Sequence, residues 1–501
     1  MPVRTTRVLW SGLTIAALIG SVALSGCRRR TPAPTAAALQ TVLSQPPIVL
    51  APPPPMPIVL PDENVAPGVP HDAAIWADVQ EFYTRREGMP VWLNDRSPAK
   101  RATAALEVLR TAPAHGLVTA DYGEPDIVAR LAALDAGDKN AIDRLDRLAE
   151  LEVRLTTALF SLGRDVAIGR TSPQRISRTW KPQRTAPDLV GSLALAAEAN
   201  LTFWLDGLRP QHPEYPALQK ALADLRARTP ATPSTPADIH RITLNLERWR
   251  WMPDDFGARA LIVNIPLYRV QIRENEQTTR EIRVVVGKRG HETPIFSGVM
   301  STIVFSPYWN IPDSIVAGET APAVAKDPRY LAKHRIEILR TTADGVQPIS
   351  PSQVNWDDPK ELRQLAFRQK PGPNNALGHV KFLFPNEYDV YLHDSPADEL
   401  FARPGRAFSH GCVRVEEPET LAQYVMRDDP DWPLPKILAA MNAGVEKHVK
   451  ITQPLPVHIV YFTAFVDAGG GLQFVPDVYG YDAKQAGTVP QIEKKNLIRR
   501  D

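Results

Sequence analysis

The period of the apolar residues changes once along this chain, at a segment rich in proline and threonine, "RARTPATPSTPAD" from Arg226 to Asp238. Before it, Leu148, Leu151, Leu155, Leu159 and Leu162 recur at steps of three and four residues, which predicts one buried face of a helix. "HGLVTADY" (His115–Tyr122) and "GRTSPQRI" (Gly169–Ile176) read as breaks between helices. After it, "ALIVNIPLYRVQIR" (Ala260–Arg273), "EIRVVVG" (Glu281–Gly287) and "STIVFSPYW" (Ser301–Trp309) are β-branched, aromatic and punctuated by Gly, Pro or Asn, the pattern of strands. "HVKFLFPNEYDVYLHD" (His379–Asp394) reads as two more strands joined at Pro385-Asn386. A chain with both periods is multidomain. The expected order is a helical domain over residues 71–225, a linker over 226–238, a mainly β domain over 239–482 and a tail over 483–501. A long polar, partly helical insertion at 313–370 interrupts the β part, and a segment of that size is expected to form a lid or subdomain.

Proline supplies a second constraint. The 501 residues include 49 prolines, many of them in residues 28–70, where "QPPIVLAPPPPMPIVLPDENVAPGVP" lacks amide donors and favours an extended chain. At ~3.1 Å per residue, about forty such residues reach on the order of 120 Å, the dimension of a tether. Residues 1–27 have a basic start (Arg4, Arg7), an apolar run from Val8 to Leu24, and "LSGC" ending at Cys27. The run falls short of the ~20 apolar residues of a spanning helix, so a secretory leader is expected. "LSGC" resembles a bacterial lipobox with Cys27 as the lipidation site, which implies a periplasmic lipoprotein anchored to a membrane. An ordinary signal with an incidental cysteine is the alternative. Arg28, Arg29 and Arg30 would add attraction to an anionic leaflet, or are simply solvated. Arg28 in place of Asp leans toward the outer membrane. A net charge of +2 with 23% charged residues offers no basic surplus for nucleic acid.

Cys412 is one of two cysteines. With Cys27 acylated, it has no intrachain disulfide partner in an exported chain. It sits in "AFSHGCVRV" (Ala407–Val415), and residues 394–408 separate that loop's "SHGC" from His393. Along "DVYLH", alternation sends Val390 and Leu392 to one face and Tyr391 and His393 to the other. The loop is long enough to return Cys412 beside His393. A thiol is mostly protonated at neutral pH, the thiolate is the nucleophile, and an adjacent imidazole takes that proton and later delivers one. Gly411 permits a tight turn beside the sulfur, so that the amides of Gly411 and Cys412 could form an oxyanion hole. His410 is a second catalytic histidine or, preferably, a residue that positions the loop. Two other readings compete: a buried Cys412 acting as a small hydrophobe, and zinc held by His379, His393, His410 and Cys412. The spacing of those four lacks the short paired intervals of structural zinc sites.

Taken together, the motifs resemble the L,D-transpeptidase family with its YkuD-type catalytic domain, in the long periplasmic form. "HDSPADELFARPGRAFSHGCVRV" carries the signature, and "NLERWRWMP" (Asn245–Pro253), "VNIP" (Val263–Pro266), "VVGKRGHETPIF" (Val285–Phe296) and "PYWNIPDSI" (Pro307–Ile315) extend it. "RQKPGPNNALGHVKFLFPN" (Arg368–Asn386) and "YFTAFVDAGGGLQFVPDVYGYD" (Tyr461–Asp482) complete the coverage of 239–482. The helical region is similar to that family's scaffold domain. The resemblance implies a β-sandwich-like catalytic domain with a capping lid at 313–370 and no cofactor or metal. It makes Cys412 the acylated nucleophile, His393 its base and the backbone carbonyl of Asp394 the group that orients the imidazole. The amides of His410, Gly411 and Cys412 would receive the oxyanion. Ser409, Arg414, Tyr391 and Trp309 would meet substrate.

The substrates so implied are peptidoglycan stem peptides, joined by 3→3 crosslinks through a thioester with loss of D-alanine, and carbapenems would acylate the same thiol. Hydrolysis by the same site, as an L,D-carboxypeptidase, or the making or breaking of a lipoprotein-to-wall link, are the alternatives within this chemistry. A degenerate wall-binding scaffold is the alternative outside it. Two features depart from the long form. The usual peptidoglycan-binding module has no counterpart between the helical and β parts, and the lipobox is not general to the family.

Overall fold

The computed structural model describes residues 72–93, 100–135, 141–228, 232 and 235–488. The leader with Cys27, the proline-rich tether and residues 489–501 lie outside the described residues. Among those described, no helix is long and apolar enough to cross a membrane.

The helical domain gathers around Ala141–Ile168, a helix of 28 residues. Helices Ala73–Arg85, Lys100–Leu109, Glu124–Asp135, Leu189–Glu198 and Leu201–Leu208 surround it. The stripe from Leu148 to Leu162 lies inside this core. Neighbours cover the central helix on every side between residues 151 and 163, so its polar residues there need partners within the protein. Glu152 accepts from the amides of Val91, Trp92 (3.0 Å) and Leu93 (2.9 Å) and from the Tyr83 hydroxyl (3.2 Å). Burial nevertheless pushes its pKa up to about 7, against the pull of those bonds.

Helical structure continues past the place where the period was expected to change. Helix Glu214–Ala227 runs into the Pro/Thr-rich segment and helix Thr235–Trp249 begins within it. Tyr215, Leu218 and Leu222 of the first and Ile242, Leu246 and Trp249 of the second share one apolar cluster with Ala260, Ile262, Val460 and Phe462 of the β part. The expected boundary at 239 is corrected accordingly: strands begin only at Arg259. The apolar residues of both helices are buried against the sheet, and that packing outweighs the prolines between them.

The β part contains β1 (Arg259–Asn264), β2 (Arg269–Glu274), β3 (Gln277–Gly287) and β4 (Ser297–Phe305). It continues after the insertion with β9 (Val380–Leu383), β10 (Leu392–His393), β11 (Ala407–Ser409), β12 (Val413–Val415) and β13 (Lys447–Val460). "ALIVNIPLYRVQIR" is a hairpin rather than one strand, because Tyr268 turns at φ +54° after Pro266. The sheet runs β11-β3-β12-β10-β9-β4-β13-β1-β2, and β2 also pairs with β3. That last pairing closes a ring, so the arrangement implied as sandwich-like is one continuous sheet with its apolar core inside.

The insertion is a subdomain. Its strands β5 (Trp309–Ile311), β6 (Ile336–Thr342), β7 (Gly345–Ile349) and β8 (Leu365–Gln369) form a four-stranded sheet in the order β5-β8-β6-β7. Ile311, Val316, Leu331, Ile338 and Phe367 give it a core of its own. It therefore starts at Trp309, and it is partly helical as expected, with Ala321–Lys326, Tyr330–Lys333 and Pro359–Leu362 accompanying the sheet.

Candidate active site

Register places the chemistry. β10 lies between β9 and β12, and His393 pairs with Lys381 on one side and Arg414 on the other. Residues paired across strands project to the same face. Leu392, Phe382 and Val413 form the neighbouring row and are fully buried in the core. Lys381, His393 and Arg414 thus form a row on the opposite face. Tyr391 and Cys412, each two residues earlier on its strand, continue that face. The Val413 amide donates to the Tyr391 carbonyl at 3.1 Å, which carries the strand pairing back to the thiol. All five side chains, with Trp309 of the lid subdomain, line a cavity of about 750 Å³.

His393 is only 4% exposed. Its Nδ1–H donates to the Asp394 carbonyl at 2.5 Å, which leaves Nε2 as the basic atom. Burial, and then the Arg414 cation, push its pKa down to about 3, so the ring is neutral at physiological pH. Burial pushes the Cys412 thiol up to about 11, opposed by the Tyr391 backbone and hydroxyl and by Arg414. The site therefore rests as a neutral thiol beside a neutral imidazole. The thiol also donates to the Asp389 carbonyl at 3.9 Å.

The Asp394 side chain has a task that the sequence did not suggest. Its carboxylate accepts from the amides of His379 (2.7 Å) and Ser395 (2.6 Å). Gly378 lies against it at φ +60°, where a Cβ would stand 2.2 Å from Oδ2, so only glycine fits. The loop carrying the orienting carbonyl is fixed from both sides.

One expectation at "SHGC" is corrected. Gly411, at φ +122°, turns the chain so that its own amide donates to Ser409 Oγ at 3.1 Å. That amide is taken, and the amides of His410 and Cys412 remain as oxyanion donors. Ser409 Oγ in turn donates to the Cys412 carbonyl at 2.6 Å, and the residue is 3% exposed. Its hydroxyl ties the loop, and the residue lines the same cavity as Cys412.

His410 points to the lid: Nε2 is 2.9 Å from Glu319 and 3.2 Å from Lys288 Nζ. His379 Nδ1 donates to the Met441 carbonyl at 3.0 Å. The four candidate zinc ligands do not converge, and no metal-ligating group occurs among the described residues.

Three residues escaped the sequence reading. Lys381 stands between buried Val380 and Phe382, and the two-residue period of "VKFL" already put it on the face of His393's row. Thr293 Oγ1 donates to the Gly411 carbonyl and accepts from the Gly287 amide, both at 2.8 Å. Glu319 reaches the site from a lid helix. Nothing local in the sequence marks either of these two.

Comparison with known proteins bears on this geometry. Residues 77–222 match the family model of the Scaffold domain, and residues 258–438 match that of the L,D-transpeptidase catalytic domain. A Haemophilus influenzae protein named "Putative L,D-transpeptidase" is 32% identical over 242 residues, which are 48% of this chain and 48% of that protein. The chain thus spans about half the length of this curated relative. Among solved structures, an L,D-transpeptidase from Mycobacterium smegmatis aligns at 10% identity over 40% of this chain and 58% of its own, with a TM-score of 0.20. L,D-transpeptidase 1 from Mycobacterium tuberculosis aligns at 15% identity over 40% and 61%, with a TM-score of 0.16. Overlaps that low say nothing about this chain's chemistry. On the domain matches, residues 258–438 are similar to a YkuD-type L,D-transpeptidase catalytic domain, and residues 77–222 of the same chain to a scaffold domain.

Proposed function

We propose that the protein joins peptidoglycan stem peptides by 3→3 crosslinks, through a thioester on Cys412. The observation that carries this reading is the shared sheet face of Cys412 and His393, with the imidazole held by the Asp394 carbonyl inside the matched catalytic domain. In the first half-reaction, Sγ adds to the carbonyl of the third residue of a donor tetrapeptide, a diamino acid, while His393 Nε2 takes the thiol proton. The amides of His410 and Cys412 would receive the oxyanion. The carbon–nitrogen bond then breaks, the proton passes to the departing nitrogen, and D-alanine leaves. In the second half-reaction, the side-chain amine of another stem's diamino acid attacks the thioester and gives its proton to His393, and the thiol is restored. One amide replaces another, so no nucleotide is required.

The same reading places the chain in the periplasm, lipidated at Cys27 and tethered by residues 28–70, with carbapenems acylating Cys412. Its support is the leader and tether composition. The test is to incubate purified protein with disaccharide-tetrapeptide and weigh the products. A dimer lighter than two monomers by one D-alanine is expected, and none from Cys412→Ala. Tripeptide without dimer would make the enzyme an L,D-carboxypeptidase. Dimers from Cys412→Ala would overturn the nucleophile.

A further inference from the structure

The floor of the catalytic cavity holds two cations with no counter-ion. Lys381 and Arg414 flank His393 on the adjacent strands, and all three line the cavity. No carboxylate lies within ion-pair distance of either cation among the described residues. The acidic groups they sense are more distant: Glu446 for Lys381 and Glu399 for Arg414. Arg414 Nε is buried without any hydrogen-bond partner. Lys381 Nζ is 6.0 Å from the centre of the Tyr391 ring, so it lies close to the reacting sulfur's neighbour. Elsewhere among the described residues, arginines taken out of water are hydrogen-bonded: Arg248 holds Asp482, Arg250 holds Glu247, and Arg406 holds the carbonyls of Val284, Arg403 and Tyr268. An unpaired desolvated cation costs stability. A row of two, about 10 Å apart across three strands, is an arrangement that a bound anion would complete.

We propose that Lys381 and Arg414 form a carboxylate-binding subsite of the catalytic cavity, in which Lys381 is a specificity-determining residue that takes a free carboxylate of the donor stem. This rests on the stem-peptide reading above. The planar fork of Arg414 suits a two-oxygen acceptor, and Lys381 adds a mobile point charge. A donor tetrapeptide offers two such groups near the attacked carbonyl: the terminal carboxylate of its last residue, and the free carboxylate at the far stereocentre of the diamino acid.

The test is calorimetric binding to the Cys412→Ala protein, which cannot turn the ligand over. The ligands are the free-acid tetrapeptide, the same peptide amidated at its terminus, and the same peptide amidated on the diamino acid. Loss of one charge-assisted bond is expected to weaken binding about ten- to a hundredfold, and the amide that produces the loss identifies which carboxylate is held. Adding Lys381→Met should weaken the free acid by a similar factor and erase its advantage over that amide, while Lys381→Arg restores it. Equal binding of all three peptides to the Lys381 protein overturns the subsite without any question of misfolding, as does a Lys381→Met protein that binds like its parent. Failure of the Cys412→Ala protein to bind any stem peptide overturns the proposed function itself, and the subsite with it.

Discussion

Two places in this molecule arrange charge withdrawn from water in opposite ways. At the junction of the helical and β parts, Arg250 donates to Glu247 (2.6 Å) and the Tyr215 hydroxyl (3.2 Å), while Glu247 also accepts from the Thr171 amide (2.9 Å). Beside it, Arg248 donates to Asp482 (2.6 Å), Gln485 (2.9 Å) and Thr463 (3.1 Å). Each of these arginines meets a carboxylate within the chain. On the cavity floor, Lys381 and Arg414 have no such partners among the described residues. The difference separates two uses of one residue type. Paired charges fix the scaffold against the sheet, and unpaired ones are left for something that arrives from outside.

The largest expected effect tests the paired half. Arg250→Met leaves Glu247 buried without its cation, and should lower unfolding free energy by about 3–5 kcal/mol in a urea titration. Adding Glu247→Gln should recover part of that loss, since the uncompensated charge is then gone. Lys381→Met, by contrast, should leave stability unchanged or raised. Equal destabilisation by the two variants would abolish the distinction between paired and unpaired charge.

The same contrast explains what was legible in the sequence. The leucine stripe, the strand alternation at Tyr391 and His393, and the nucleophile loop were readable because each follows from a short period or a local motif. Lys381 obeyed the same alternation and was readable in principle, but a lone lysine in a strand signals nothing until its neighbours across the sheet are known. The junction pairs join residues such as Arg248 and Asp482 that lie far apart along the chain, so no local pattern announces them. The helix Thr235–Trp249 was missed because proline density near its start outweighed the buried face made by Ile242, Leu246 and Trp249. Gly411 was assigned to the oxyanion because a motif supplies residue types and not the hydrogen bond that the fold has already made between its amide and Ser409.

A second prediction sharpens the electrostatics of the floor. Burial holds the Cys412 thiol up, at about 11, and His393 stays neutral far below pH 7 because burial and Arg414 lower its pKa to about 3. The resting pair is therefore uncharged, and the reactive thiolate is scarce. Alkylation by iodoacetamide, followed at Cys412 by mass spectrometry, should climb about tenfold per pH unit from pH 7 to pH 10, with no plateau. A rate that levels off near neutrality would mean a preformed thiolate–imidazolium pair, and the floor cations would then be serving the sulfur instead of a ligand.

The smallest effect concerns the support behind the loop. Thr293 is 1% exposed and holds the Gly411 carbonyl while accepting from Gly287. It touches no reacting atom, so it acts as a positioning residue. Thr293→Val keeps the shape and removes the hydroxyl, at a stability cost of about 1–2 kcal/mol from the two lost bonds. If the hydroxyl fixes where the Cys412 amide points, kcat for crosslinking should fall about tenfold with KM little changed, because the oxyanion contact is made only in the transition state. Thr293→Ser should restore kcat, since serine offers the same hydroxyl to both partners. A matching loss in KM, or a serine variant as slow as valine, would mean that Thr293 merely packs the core and that the loop holds its geometry through Ser409 alone.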